Sequence, residues 1–117
     1  MNNEKQRIAI AEARGMIGPF ENSEEWFENG DSDGCIIVLR DATGKRVANY
    51  LNDLNAMHEA EKVLTVGQRI EYVREIGFIF TGRNDRAVPD WWLIHEADAQ
   101  QRAEAFLRTI GKWEEEA

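Results

Sequence analysis

Two amphipathic segments with recognisable ends constrain the fold of this chain more than any other feature. The first begins after Asn52 or Asp53, either of which can cap a helix. Its apolar residues recur at the three- and four-residue spacing of one helix face. That face comprises Leu54, Met57, Glu61 and Leu64, with Ala56, Ala60 and Val63 beside it. The spacing predicts a helix that packs against a core and ends at Thr65.

The second amphipathic segment follows Asp98. Gln101 stands three residues after Asp98, which is the pattern of a capping box, where each residue's side chain bonds the other's backbone N–H. Gly111 supplies a left-handed exit from the helix, and Trp113 is placed to pack over its end. The residues expected to be buried are Ala103, Phe106, Leu107 and Ile110.

Two further helices are expected. One runs from about Asn3 to Arg14, with Asn3 as its cap and Gly15 as its exit. The other follows Thr65, which forms a second capping-box pattern with Gln68. The inward face of this helix is expected to consist of Ile70, Val73, Gly77 and Phe80.

The clearest strand is the apolar run Cys35–Leu39. It does not alternate apolar and polar residues, so we expect burial on both faces, with helices above and below the sheet. Trp91–Ile94 is a second predicted core strand, while residues 16–34 are expected to be irregular apart from a short strand around Trp26–Phe27. The order of elements predicts an α/β (α+β) fold, a single three-layer α/β/α sandwich whose small sheet has helices on both faces.

Length and charge limit the possible functions. At 117 residues the chain is expected to form one domain spanning residues 1–117. Its net charge of −8 argues against direct binding of duplex nucleic acid, which requires clustered lysines and arginines. The one cysteine, Cys35, is expected to be a small buried hydrophobe in a reducing compartment. Residues 1–15 lack the apolar core of a signal peptide, and no apolar run approaches the ~20 residues of a membrane span, so we expect a cytoplasmic protein without membrane contact.

Catalytic motifs are absent from the sequence. There is no phosphate loop, dinucleotide fingerprint or nucleophile elbow. The only histidines, His58 and His95, lack zinc-site spacing, and they could support acid–base or metal chemistry only if the fold brings them together. Asn29–Gly34 begins like a calcium loop, but Arg40 stands where that loop needs a carboxylate. We therefore rank an enzyme last and expect neither a metal nor a cofactor.

One constellation favours ligand binding. Arg83 and Arg86 form a basic pair on an acidic chain, and Trp91 and Trp92 follow closely. Guanidinium groups bind phosphate, and indole rings stack on bases, although neighbouring strand residues face opposite ways and at most one tryptophan can serve one pocket. The first hypothesis is a non-enzymatic, homo-oligomeric binder that sequesters a small anionic, nucleotide-like signal with these residues. The competing interpretation places both tryptophans in the core and both arginines in solvent.

The second hypothesis is an acidic inhibitor that binds a basic protein, such as a nucleic-acid-binding protein. Its densest acidic patch comprises Glu24, Glu25, Glu28, Asp31 and Asp33. Such binding would weaken strongly with salt, whereas a nucleotide binder would be stabilised by its ligand.

Three segments resemble the phage ABA sandwich domain family: Gln6–Ala13, Tyr50–Leu64 and Gln101–Trp113. The order and spacing of these segments fit the whole chain. The chain departs from the family pattern at two positions. Met16 stands where an aromatic residue often follows the first helix, and Asn49 stands where the family usually has proline before tyrosine.

The resemblance implies an α/β/α sandwich, which agrees with the prediction from the strand pattern. It also implies a small accessory protein of a phage or prophage that acts in the bacterial cytoplasm, where such proteins commonly modify host processes or blunt host defences by binding. It brings no catalytic residues. Residues 18–34 and 78–92 match the family least, so differences in specificity are expected there.

Overall fold

The computed structural model describes residues 1–29, 32–81 and 97–115. Over these ranges the fold is mixed α+β, with four helices and a two-stranded antiparallel sheet. The elements are α1 (Asn3–Ala13), β1 (Glu21–Asn29), β2 (Ser32–Arg40), α2 (Leu54–Glu61), α3 (Val66–Thr81) and α4 (Ala99–Thr109). The predicted strand Trp91–Ile94 lies outside the described residues. None of the helices in the described ranges has the length and apolar composition needed to cross a membrane.

Helix ends follow the local sequence closely. The backbone N–H of Gln101 donates to Asp98 Oδ1 at 2.8 Å, and the N–H of Asp98 donates to Gln101 Oε1 at 3.0 Å, so the predicted capping box of α4 is confirmed. The corresponding pair before α3, Thr65 and Gln68, is also formed. Asp53 caps α2. The cap of α1 is one residue earlier than predicted, since the side chain of Asn2 accepts from the backbone N–H of Lys5.

We expect Asp98→Ala to lower the free energy of unfolding by about 1 kcal/mol, because α4 loses the acceptor for a backbone N–H of its first turn. Asp98→Asn keeps an oxygen at that place and should cost distinctly less. Urea denaturation of both variants checks this. Equal losses in the two variants would show that the carboxylate charge matters and the cap geometry does not.

The core is built around α4. Ala103, Phe106 and Leu107 are buried as predicted, and Ile110 is half-buried. Gly111 has φ +75°, Lys112 N–H donates to the Leu107 carbonyl at 2.8 Å, and Trp113 packs against the core. The other fully enclosed large side chains come from all parts of the described fold: Ile10, Leu39, Tyr50, Met57 and Ile76.

The inward face of α3 differs in part from the prediction. Gly77 is buried as predicted and Val73 is half-buried, while the side chain of Phe80 lies outside the described atoms. Tyr72 and Ile76 are buried in the core, whereas Ile70 is 56% exposed. The helix carries two apolar rows at helical spacing, and the row that contains Tyr72 and Ile76 faces α4. Periodicity alone does not distinguish these rows, because each satisfies the three- and four-residue spacing.

The sheet is a β-hairpin with an exposed outer part. β1 pairs with β2 over its whole length, from Glu21 opposite Arg40 to Asn29 opposite Ser32, where the sequence pattern indicated mainly irregular chain. The predicted strand at Cys35–Leu39 is confirmed as part of β2, but its predicted burial on both faces is wrong. Ile37 is 63% exposed, and only Leu39, at the base of the hairpin, is buried.

The exposure has a simple geometrical cause. β2 has β1 as its only strand partner among the described elements, and the described helices make at most marginal contact with the hairpin. The molecule measures 54 × 31 × 30 Å, and a nine-residue strand alone spans roughly 30 Å. Cys35, which we expected to be buried, lies exposed on this hairpin.

Candidate functional site

A cleft of about 300 Å³ opens between the end of α2, the first half of α3 and the buried face of α4. We call it the basic cleft. Its lining residues are His58, Glu61, Lys62, Leu64, Arg69, Tyr72, Val73 and Arg102. A volume near 300 Å³ is at the lower end of the range for small-molecule sites, so the cleft suits a small ligand.

Glu61 and Arg102 form the fixed back of the basic cleft. Arg102 Nη1 donates to Glu61 Oε1 at 3.1 Å, and Arg102 Nε donates to the carbonyl of Ala97 at 3.1 Å. The Arg102 side chain is only 6% exposed. A charge removed from water in this way requires an opposite charge and hydrogen bonds around it, and both are present here.

The Tyr72 hydroxyl completes this arrangement. It donates to Glu61 Oε1 at 2.8 Å, so the carboxylate oxygen accepts from a phenol and a guanidinium together. Burial of the phenol, followed by the negative charge of Glu61, raises the pKa of Tyr72 well above its ordinary value. Tyr72 therefore remains a hydrogen-bond donor throughout the physiological pH range and does not act as a base.

Two basic side chains, Lys62 and Arg69, line the basic cleft beside His58. His58 Nδ1 lies 3.6 Å from Glu61 Oε2, and Lys62 Nζ donates to Glu59 Oε1 at 2.8 Å on the outer side. The guanidinium of Arg69 is exposed and makes no hydrogen bond or ion pair with any described residue. An exposed, unpaired guanidinium is available to an anion without the loss of an existing bond.

The described residues that line the basic cleft have a net charge opposite in sign to that of the chain as a whole. Among them, Lys62, Arg69 and Arg102 are basic, and Glu61 is the one carboxylate. The chain carries a net charge of −8. A concave surface with a net positive charge attracts anions, so the basic cleft is a local anion-attracting environment on an acidic protein.

Glu61 and Tyr72 are hydrogen-bonded to each other in the basic cleft. Tyr72 keeps its proton near neutral pH, because its pKa lies well above that range. Across the described ranges, no three His, Cys, Asp or Glu side chains lie close enough together to hold a metal ion.

The residues first predicted to bind a ligand lie outside the described part of the chain. These are Arg83, Arg86, Trp91 and Trp92, together with His95. The other histidine, His58, is described and lies at the mouth of the basic cleft, half-exposed beside Glu61.

The predicted acidic patch maps to the hairpin, and one of its members needs correction. Glu25 forms ion pairs with both Arg40 and Arg46, so its charge is neutralised and it does not offer a free carboxylate to a partner. Glu24 is exposed on the other face of β1. Asp31 and the side chains of Glu28 and Asp33 lie outside the described atoms.

Most residues of the basic cleft were missed from the sequence, although one signal was present. Glu61 occupies a position in the predicted apolar stripe of α2, and Arg102 lies next to Ala103 on the buried side of α4. A carboxylate and a guanidinium on two inward faces indicate a buried ion pair, since neither is stable alone in a core. Arg69 had no such signal, because an exposed arginine on a helix is ordinary.

Comparison with known protein families, curated proteins and solved structures finds no match for this chain. The functional inference therefore depends on the geometry and charge of the basic cleft.

Proposed function

We propose that this protein is a non-enzymatic binder of a small anionic, nucleotide-like ligand, which it holds in the basic cleft. The observation that supports this most strongly is the exposed guanidinium of Arg69, which has no partner among the described residues and lines a concave, mainly basic surface on a chain of net charge −8. Arg69 can present two parallel N–H donors to a phosphate, and Lys62, which is paired with Glu59, lies in the same lining. Leu64 and Val73 supply apolar wall for a flat ring.

The wider role that we propose is sequestration of a host signal by a phage or prophage accessory protein in the bacterial cytoplasm. This part depends on the resemblance to the phage ABA sandwich domain family, with its three-layer α/β/α arrangement. The three resembling segments fall on α1, on α2 with its flanking turns, and on α4, all of which contribute residues to the core. We include Arg83, Arg86, Trp91 and Trp92 in the proposal as a second ligand-binding rim.

Thermal unfolding with added ligand tests the proposal. The probes are pyrophosphate and adenosine 5′-monophosphate, with uncharged adenosine as the negative control. A ligand at a hundredfold excess over its dissociation constant should stabilise the protein by about 2.7 kcal/mol. We expect stabilisation by the two anions and none by adenosine. An absence of any anion-dependent shift up to millimolar concentrations would contradict the proposal.

Arg69→Ala is expected to weaken anion binding about tenfold or more, because a hydrogen-bonded charge contact contributes roughly 1.5–3 kcal/mol. Arg74→Ala is the matched control. Arg74 lies on the same helix, is exposed, and its guanidinium is 3.8 Å from Glu71 and outside the cleft lining. Titration calorimetry with pyrophosphate measures both variants. Equal losses would mean that only the general charge of the surface matters.

The double variant Arg83→Ala/Arg86→Ala separates the two proposed ligand regions. If the 82–92 rim contributes to the site, this variant also loses affinity for the anions. Unchanged binding in the double variant, together with loss in Arg69→Ala, would remove the rim from the proposal and leave the basic cleft as the site.

One observation favours the alternative function, an acidic inhibitor of a basic host protein. Exposed Glu24 shares a face of the hairpin with Trp26, which is 74% exposed, and with Ile37. A carboxylate beside two exposed apolar side chains suits a partner surface that is basic and partly apolar. This alternative predicts binding to a cationic protein that weakens with added salt and does not respond to Arg69→Ala.

A further inference from the structure

The two strands of the hairpin differ sharply in composition. β1 carries four glutamates, whereas the centre of β2, Cys35–Val38, is entirely apolar. Charged residues are typical of strands at the solvent edge of a sheet, and continuous apolar runs are typical of interior strands. Among the described residues of one chain, however, both strands are edges of a two-stranded sheet.

The outer edge of β2 has no strand partner in the described part of the chain over a defined length. At the base, Val47 N–H donates to the Leu39 carbonyl at 2.8 Å, and Asp41 N–H donates to the Lys45 carbonyl at 2.9 Å. From Ser32 to Val38 no described strand pairs with this edge. An unpaired edge with apolar side chains is a template for another strand, and a two-stranded sheet alone is marginally stable.

The hydrogen bonds at the base also show which backbone groups face outward. Leu39 and Asp41 direct their backbone groups away from β1, and the direction alternates along a strand. The outward N–H and C=O groups of the free part therefore belong to Asp33, Cys35 and Ile37. These three residues define the register in which a further strand can add.

We propose that a second copy of this chain pairs with β2 in antiparallel orientation, about a two-fold axis at Cys35. Cys35 then lies opposite the partner's Cys35, and Asp33 lies opposite the partner's Ile37. Each outward-facing pair exchanges two backbone hydrogen bonds. The pairing does not involve the base of β2, where Leu39 and Asp41 already bond to Val47 and Lys45. The result is a closed, isologous dimer with a four-stranded sheet.

The distribution of charge favours pairing of two copies through their β2 strands over pairing through their β1 strands. No two like charges stand opposite each other in the β2 pairing. A β1 pairing centred on Glu24, Glu25 or Trp26 sets glutamate opposite glutamate, which is destabilising. In the dimer the apolar strands become interior and the glutamate-bearing strands form the outer edges, where charge opposes further addition.

The dimer also joins exposed apolar side chains across the two copies. Trp26 stands opposite Cys35 within the hairpin, and Ile37 lies on the same face. Because the two-fold axis is perpendicular to the sheet, the partner contributes its equivalent side chains to that face. The exposed apolar residues of each hairpin then form one larger surface.

Sedimentation equilibrium at several protein concentrations tests the proposal on the whole chain. We expect twice the chain mass at high micromolar concentration, and tighter association with added salt, because two copies of charge −8 repel each other. A monomer at about 200 μM in 0.5 M salt would overturn the proposal. If the hairpin served only to bind a basic partner protein, the chain would remain a monomer under these conditions.

Cross-linking through Cys35 tests the register directly. Opposite residues in a hydrogen-bonded antiparallel pair have Cα atoms about 5.5 Å apart, within the range of a disulfide. Desolvation and the nearby Glu24 raise the pKa of the Cys35 thiol, so oxidation with diamide is run at about pH 9. We expect a covalent dimer from the native chain. A non-covalent dimer that fails to cross-link would contradict the register.

A charge exchange at position 35 gives an independent result. Cys35→Lys sets two ammonium groups opposite each other and should weaken self-association at least tenfold, whereas Cys35→Ser should leave it unchanged. Mixing Cys35→Lys with Cys35→Asp should restore a mixed dimer. Circular dichroism confirms that each variant is folded. A Cys35→Lys protein that dimerises as tightly as the native chain would overturn the proposal. If that variant does not fold, cross-linking of the native chain through Cys35 is the deciding test.

Discussion

Ile76→Ala is expected to lower the free energy of unfolding by about 3 kcal/mol. Ile76 is completely enclosed by the core that α3 forms with α4. Its truncation removes apolar contacts and leaves a cavity, which typically costs 2–5 kcal/mol for this change. Against a total stability of roughly 5–15 kcal/mol, this is a large loss. Urea denaturation monitored by circular dichroism measures it.

Ile70→Ala is the matched control on the same helix. Ile70 is 56% exposed, so its truncation should change the stability by no more than about 0.5 kcal/mol. The pair also decides between the face of α3 expected from periodicity and the face seen in the structure. If Ile70→Ala were the more damaging of the two changes, the orientation of α3 described above would be wrong.

Arg102→Met is expected to cost about 3 kcal/mol. The change leaves Glu61 without its guanidinium partner in a largely enclosed place, and breaking one half of a buried ion pair typically costs 3–5 kcal/mol. The carbonyl of Ala97 loses a donor in addition. The free energy of unfolding at neutral pH is the measured quantity.

The double variant Glu61→Gln/Arg102→Met supplies the control for this second prediction. Without the negative charge at position 61, Arg102→Met no longer strands a carboxylate, so the two losses should fall short of additivity by about 1–3 kcal/mol. Additive losses would show that Arg102 stabilises the protein through packing and its bond to Ala97, and not through Glu61.

The helix termini could be predicted from the sequence because they are set by local chemistry. Asp98 with Gln101, and Thr65 with Gln68, form reciprocal bonds that involve only four consecutive residues. The partners are therefore close together in any helical fold. The one-residue difference at Asn2 arises because adjacent asparagines can both cap a helix.

Burial was harder to predict because it depends on contacts between distant segments. The apolar run at Cys35–Leu39 suggested a strand covered on both faces, and the strand exists, but β1 is its only described strand partner. An apolar run indicates that a surface needs covering; it does not identify what covers it. The proposed β2 dimer would pair the outer edge of this strand with the same edge of a second chain.

The basic cleft could be predicted only in part. Glu61 and Arg102 stand on inward helix faces, and that signal is readable from periodicity. Their approach to Tyr72 depends on how α2, α3 and α4 are arranged, which no short-range pattern encodes. The exposed guanidinium of Arg69, which has no partner in the described part of the chain, gains significance only from its position beside these residues.

Amide NMR of the chain titrated with adenosine 5′-monophosphate locates the ligand directly. We expect the largest shifts at the end of α2, from His58 to Lys62, and in α3 from Arg69 to Val73, with no change along Ser32–Val38. Shifts confined to residues 82–92, or no saturable shifts at all, would contradict binding in the basic cleft.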